Sequence, residues 1–455
     1  MYEDRQDFNN DVWDANDLAH EAAETKEFLA AVVKLAVDAV QRRLNEPAIY
    51  VKPIQIGGFN IHIRIKSVGS DLIVRLPRPH YVQFPNEKME YEAATAMVIR
   101  EATPVPIPRQ LEYNNKHPTL GPFIIMDYIE NKGDMVNILT IPGLDPAIPP
   151  VLKPDISDAT LLGAYSKIAS CLFHISTLKF SQIGSLSEVN SSYSVRNRPI
   201  TQNMNVMMQL GGIPEEVLPP PNKTYTTAND WYVMLSEMHL SQLLFQHNDT
   251  IFSTEDCLNK YVSRQLFRNL ASEGKLSTFG FSDDTWSAQG LHNRATLPAP
   301  DRSTDFRIWC DDRRPVNFLV GKDGDVAACV DFEFAYVAPT QFTLDPPWWL
   351  LLEQPEMWAD GMKCWSNVFE SRMPVGLAAV RQVEKRLNCS FPLPSQYMQE
   401  SWLTGRFWLT YAARKSWAFD AIYWNFLDER FLANVRPDCL SGERASIGSL
   451  LDNEN

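Results

Sequence analysis

Ile61, Ile63 and Ile65 alternate with His62, Arg64 and Lys66, the period-two mark of a strand with one face buried. A Gly69-Ser70-Asp71 turn follows, then Leu72 to Leu76 as a second strand. Phe123 to Met126 is long enough for one more buried strand, ending at Asp127-Tyr128. Later the period changes. Leu161, Leu162, Tyr165, Ile168, Ala169, Leu172 and Phe173 recur at helical spacing, and helical segments rich in aromatics run from about Pro347 to Phe431. Strands return once, as a hairpin: Asn317 to Val320, a Gly321-Lys322-Asp323-Gly324 turn, and Val326 to Val330. Strands first and helices afterwards predict an α+β chain with a small strand-rich N-lobe and a larger, mainly helical C-lobe.

The boundaries follow from the same pattern. Residues 1–49 read as a polar arm and a helix from Asp17 to about Leu44. Residues 50–128 form the N-lobe, with a helix from about Lys88 to Arg100 before the proline-rich stretch at 103–108. Residues 129–432 form the C-lobe, and 433–455 a tail. Asn229-Asp230 and Ser253-Thr254-Glu255-Asp256 are helix starts. The polar, Pro-rich stretches 185–226 and 281–305 read as loops.

With 42 Lys and Arg against 56 Asp and Glu, the net charge is −14, which disfavours nucleic acid as a partner. Seven cysteines form no CxxC pair, and the polar N-terminus lacks the apolar stretch of a secretory signal, so free thiols in the cytoplasm are expected. No apolar run is long enough to span a membrane. His174, His239 and His292 lack metal-ligand spacing and read as structural.

The chemistry lies on the hairpin. Asp312 stands five residues before Asn317, and Asp331-Phe332-Glu333 ends the second strand. Carboxylate and amide oxygens gathered at the two ends of one hairpin suit a hard divalent cation such as Mg²⁺, and a third carboxylate beside them can serve as a base.

The segments RIWCDDRRPVNFLVGKDGDVAACVDFEF (307–334), GGFNIHIRI (57–65) and GPFIIMDYIE (121–130) resemble the aminoglycoside phosphotransferase/choline kinase family, in particular its large branch from filamentous fungi, over about residues 50–432. The resemblance implies a protein-kinase-like fold, ATP and Mg²⁺ as cofactors, and phosphoryl transfer to a hydroxyl or amine of a small-molecule acceptor. It assigns Asp312 as the catalytic base, Asn317 and Asp331 as metal ligands, and Glu333 to a second metal or the acceptor. Gly57, Gly58 and Phe59 would cover the phosphates, and Met126, Asp127 and Tyr128 would meet the adenine through their backbone. Arg75 stands where the family has a phosphate-gripping Lys, with Glu92 as its helix partner. Arg314 stands where relatives carry Lys or His and would stabilise transferring charge. Cys310 replaces a packing His.

Trp348, Trp349, Trp417, Tyr423 and Trp424 read first as core, and second as a box for a cationic acceptor. Two rival functions stand beside the enzyme: a pseudokinase that binds nucleotide or metabolite without transfer, as Arg75 and Cys310 suggest, and a kinase-fold enzyme that moves another group.

Overall fold

The computed structural model describes residues 18, 25–141, 143, 150–246, 251–288, 295–300, 305–390 and 393–432. The expected arm at 1–16, the start of the first helix at Asp17, His292 and the tail 433–455 lie outside the described residues.

Helix α1 (Lys26–Leu44) begins at Thr25, whose side chain accepts from the Phe28 amide, and packs Val32, Ala36, Ala39 and Val40 against the N-lobe sheet. The sheet has five antiparallel strands in the order β1-β2-β3-β5-β4: β1 (Ala48–Ile56), β2 (Asn60–Ser67), β3 (Asp71–Pro77), β4 (Gln110–Asn114) and β5 (Phe123–Asp127). Alternation in β2 resolves as read: Ile61, Ile63 and Ile65 are buried under α1, and His62 is paired with Arg75 of β3 on the opposite face. Helix α2 (Pro85–Ala102) starts with proline in its first turn, where the missing amide costs nothing. It crosses that opposite face.

The C-lobe is helical, with one core built around α4 (Asp158–Ser176), α6 (Ala228–Phe245) and α8 (Met362–Arg386); α3 (Met135–Leu139) leads into it. Other helices are α5 (Gln202–Gly211), α7 (Thr254–Ser272), α9 (Pro394–Thr404) and α10 (Arg406–Ala413). The chain is thus α+β and two-lobed, as the pattern predicted. Ser253 caps α7 as expected, but Thr227, not Asn229, caps α6.

The stretch 185–226 is not a loop. It holds an antiparallel hairpin, β6 (Ser185–Val189) and β7 (Ser192–Asn197), followed by α5. Serines on short strands mask the alternation, and burial against α2 replaces it. Two strands without a strong sequence signal, β8 (Phe306–Cys310) and β11 (Ala335–Pro339), pair antiparallel and flank in sequence the predicted hairpin, β9 (Phe318–Val320) and β10 (Val326–Cys329). No helix among the described residues is long and apolar enough to cross a membrane.

Candidate active site

Five charged side chains are packed together beside Asn60, at the end of the glycine loop. Arg75 extends from β3 with 3% exposure; its Nε lies 3.0 Å from Glu92 Oε1, and its Nη2 donates to Asp331 Oδ1 at 2.5 Å and to Glu333 Oε2 at 3.5 Å. Lys88, one helical turn before Glu92, is buried beside them. Its Nζ reaches Glu333 Oε2 at 2.9 Å, Glu92 Oε2 at 3.6 Å and Asn60 Oδ1 at 2.8 Å. The Asn60 amide closes the ring by donating to Glu333 Oε2 at 2.6 Å.

Two cations thus face three carboxylates in a low-dielectric pocket. Burial alone would suppress the charge on Arg75, but Asp331, Glu92 and Glu333 outweigh it and raise its pKa. For Asp331, burial pushes the carboxyl upward, and Arg75 and Lys88 overcome it, holding the pKa at about 2. Burial wins at Glu92, whose pKa is raised in spite of Arg75 and Lys88. His62, whose Nε2 lies 3.2 Å from Arg75 Nη1, is held to about 3 by burial and by that cation, so it is neutral.

The sequence reading joined Arg75 to Glu92, and the structure brings these together. Glu333 sits elsewhere than expected: it is 3% exposed and occupied by Lys88, Asn60 and Arg75, so it buttresses the cluster rather than facing the cleft. Lys88 and Asn60 were not singled out. The Lys88/Glu92 spacing of four on a helix was the available signal.

Asp331 adopts the left-handed backbone, φ 64°, a conformation a non-glycine residue holds only where its surroundings enforce it. Across the hairpin, Asn317 belongs to a 3₁₀ turn rather than the strand; Val330 N–H donates to Asn317 O at 2.9 Å, which sets Asn317 beside Asp331. Asn317 Oδ1 accepts from the Arg314 amide at 2.9 Å. Arg314 Nε lies 3.2 Å from Asp312 Oδ1. Asp312 is 9% exposed, and its pKa is pushed up to about 7 by burial, with Glu333 and Asp331 adding to the rise and Arg314 opposing it. Cys310 is buried and donates to Glu333 O; burial raises its thiol pKa, so it is no nucleophile.

Asp331 and Asn317 offer hard oxygens suited to Mg²⁺. Among the described residues no three His, Cys, Asp or Glu side chains converge as a metal cage.

The glycine loop closes through Gly57 N–H to Asn60 O, 2.8 Å, and Arg78 Nη1 donates to both Gly57 O and Gly58 O. A Cβ on Gly58 would meet nothing within 4 Å, so the space above it is open. Phe59 turns inward, its ring edge-on to Phe334 at 5.1 Å. At the other end of the N-lobe, two of the expected purine contacts are already taken. Asp127 N–H donates to Arg109 O and Tyr128 N–H to Asp71 O, so neither amide is available to a base. Met126 pairs with Ile73 inside the sheet.

The C-lobe segment 185–226 fixes α2 from outside. Arg198, 1% exposed, grips both oxygens of Glu87 at 2.7 and 3.0 Å and Glu215 at 2.7 Å, and lies over Phe84. Asn205 bonds Tyr81 O and Gln83 N–H, both at 2.8 Å. The helix that carries Lys88 and Glu92 is therefore clamped at its first turn. Nothing local in the sequence marked Arg198 for this.

Trp348, Trp349 and Tyr423 are buried core residues, whereas Trp417 and Trp424 are partly exposed; they form no common box. His239 is buried against Ser416, its pKa lowered by burial and Arg264, a structural histidine as read.

No family model and no curated protein matches the sequence. Among solved structures, the chain is similar to a thermostable variant of aminoglycoside phosphotransferase APH(4)-Ia in ternary complex with AMP-PNP and hygromycin B, at 13% identity and TM-score 0.39, covering 85% of this chain and 97% of that one. It is also similar to a macrolide 2'-phosphotransferase type I, at 11% identity and TM-score 0.40, covering 90% and 98%. At these values the reading of the site rests on its own residues.

Proposed function

We propose that the chain is an ATP- and Mg²⁺-dependent phosphotransferase acting on a hydroxyl or amine of a small cytoplasmic metabolite, in the fungal aminoglycoside phosphotransferase/choline kinase-like branch its motifs resemble. The observation that carries the reading is geometric: a buried Asp312 carboxylate lies 3.2 Å from Arg314, next to the turn that holds Asn317 beside Asp331, and burial raises its pKa to about 7, which suits a general base at neutral pH. Asp312 would accept the acceptor's proton, and Arg314 would stabilise transferring charge. Asp331 and Asn317 would hold Mg²⁺, which offsets phosphate charge when bound. Arg75, fixed by Glu92, would take the phosphate-gripping role. Gly57 and Gly58 would pass over the phosphates. In-line transfer needs positioning and charge stabilisation, and each of these residues serves one of the two.

The test uses thermal stability with AMP-PNP, with and without Mg²⁺. Nucleotide at a hundredfold its dissociation constant should add about 2.7 kcal/mol. Asp331→Asn should abolish the Mg²⁺-dependent part, and Asp312→Asn should retain it. No nucleotide stabilisation in the native protein would sink the proposal. Binding without turnover over a broad panel of acceptors would favour the pseudokinase.

A further inference from the structure

Between α4, α8 and α10 the C-lobe encloses a cavity of about 150 Å³. Its walls are mainly apolar and include Trp309, Phe332, Trp349, Leu377 and Phe407. Neither Asp312, Asn317 nor Asp331 lines it, so it is distinct from the proposed transfer site, although Cys310, Asp311, Arg313 and Phe332, their neighbours in sequence, do. Half-buried lining residues, Phe173, Val380 and Met398, give it a route to solvent. An apolar cavity of this size accommodates a benzene-sized body.

One polar group in the wall is unusual. Arg313 is 8% exposed and lines the cavity. Its Nη1 donates to Val330 O at 2.8 Å and to Cys329 Sγ at 3.3 Å, and its guanidinium lies 4.1 Å over the Phe332 ring. Its Nη2 has no hydrogen-bond partner, and among the described residues Arg313 has no ion pair; Asp331 and Asp312 act on it only from beyond contact. Other polar groups of the wall have partners: Asp311 accepts from Trp309 Nε1 and the Gln202 amide, Asp345 from Ser401 and Thr410, and Tyr411 donates to Glu356, while Arg414 donates through Nε to Thr410 O and lies over the Trp309 and Phe342 rings. A buried cation with a vacant donor and no counter-ion strongly favours an anionic acceptor group, and guanidinium matches carboxylate geometry.

We infer that this cavity binds a small carboxylic acid with a ring-sized apolar body, its carboxylate on Arg313 and its ring among the aromatic walls. Because Arg313 adjoins Asp312, and Phe332 follows Asp331, a bound acid packs against the underside of both halves of the cleft.

Benzoate is the probe, with benzamide as its uncharged isostere, both titrated calorimetrically into the full chain. Benzoate should bind, and benzamide at least about tenfold more weakly, the worth of a charge-assisted hydrogen bond. Arg313→Met should erase the difference. Ala169→Phe, which fills the cavity from α4 and leaves Arg313 in place, should abolish benzoate binding while AMP-PNP still stabilises the fold. Equal binding of benzoate and benzamide would overturn the assignment of a carboxylate. Unchanged benzoate binding in Ala169→Phe, or none in the native chain, would overturn the site itself.

Discussion

Arg75→Met is the sharpest test of how the site is held together. In the native chain Arg75 lies within 2.5, 3.0 and 3.5 Å of Asp331, Glu92 and Glu333. Its removal leaves three buried carboxylates with Lys88 as their one cation. A single unit-charge pair at 4 Å is worth ~4 kcal/mol at an effective dielectric of 20. Losing Arg75 also relieves its own burial, so the sum over three partners does not apply; breaking a buried pair from one side costs ~3–5 kcal/mol. Against a typical total of ~5–15 kcal/mol, the variant should be marginal at pH 7. The pH dependence follows from Asp331. Its folded pKa, about 2, is below the unfolded value of about 3.9, so its contribution is present above pH ~4 and lost as pH falls toward 2. Without Arg75 that pKa rises and the contribution disappears. The penalty should therefore shrink by ~1–2 kcal/mol between pH 7 and pH 3. Urea denaturation followed by fluorescence of the 12 tryptophans measures both. A penalty under ~1 kcal/mol at pH 7, or one that does not change with pH, would refute a charge cluster centred on Arg75. Arg75→Lys should recover only part of the loss, since one ammonium cannot reach all three acids.

Two further outcomes are expected. Asp312 has a folded pKa of about 7, above its unfolded value, so its stability contribution is fully present below pH ~4 and is lost as pH rises through 7. Asp312→Asn should thus stabilise the fold by ~2–4 kcal/mol at pH 8 and little at pH 4, while any transfer activity falls ~10²–10⁴-fold; equal denaturation midpoints at pH 8 would contradict the burial argument. Arg198→Met leaves Glu87 without its bidentate partner and should destabilise by ~1–3 kcal/mol. Hydrogen exchange should quicken at residues 85–102 first; uniform quickening across both lobes would mean Arg198 does not act through α2.

The sequence by itself determined the lobes. Period-two alternation at Ile61–Ile65 and the three-and-four spacing from Leu161 are local signals, set by which face each element buries, and they carried the α+β division. The proximity of Asn317 and Asp331 was legible because they stand just outside the two ends of one tight hairpin, and Asp312 lies on the short turn between β8 and that hairpin. Arg75 and Glu92 were legible through the resemblance. Everything joined across long separations was decided by tertiary structure. Lys88 meets Glu333 and Arg198 meets Glu87 only once the lobes pack, and the serine-rich β6–β7 hairpin gains its burial from α2 rather than from its own alternation. Glu333 faces inward because Lys88 and Asn60 are there to receive it. The poise of Asp312 and the vacant donor of Arg313 likewise come from burial, which depends on what the rest of the chain places around a residue and so cannot be read from its neighbours in sequence.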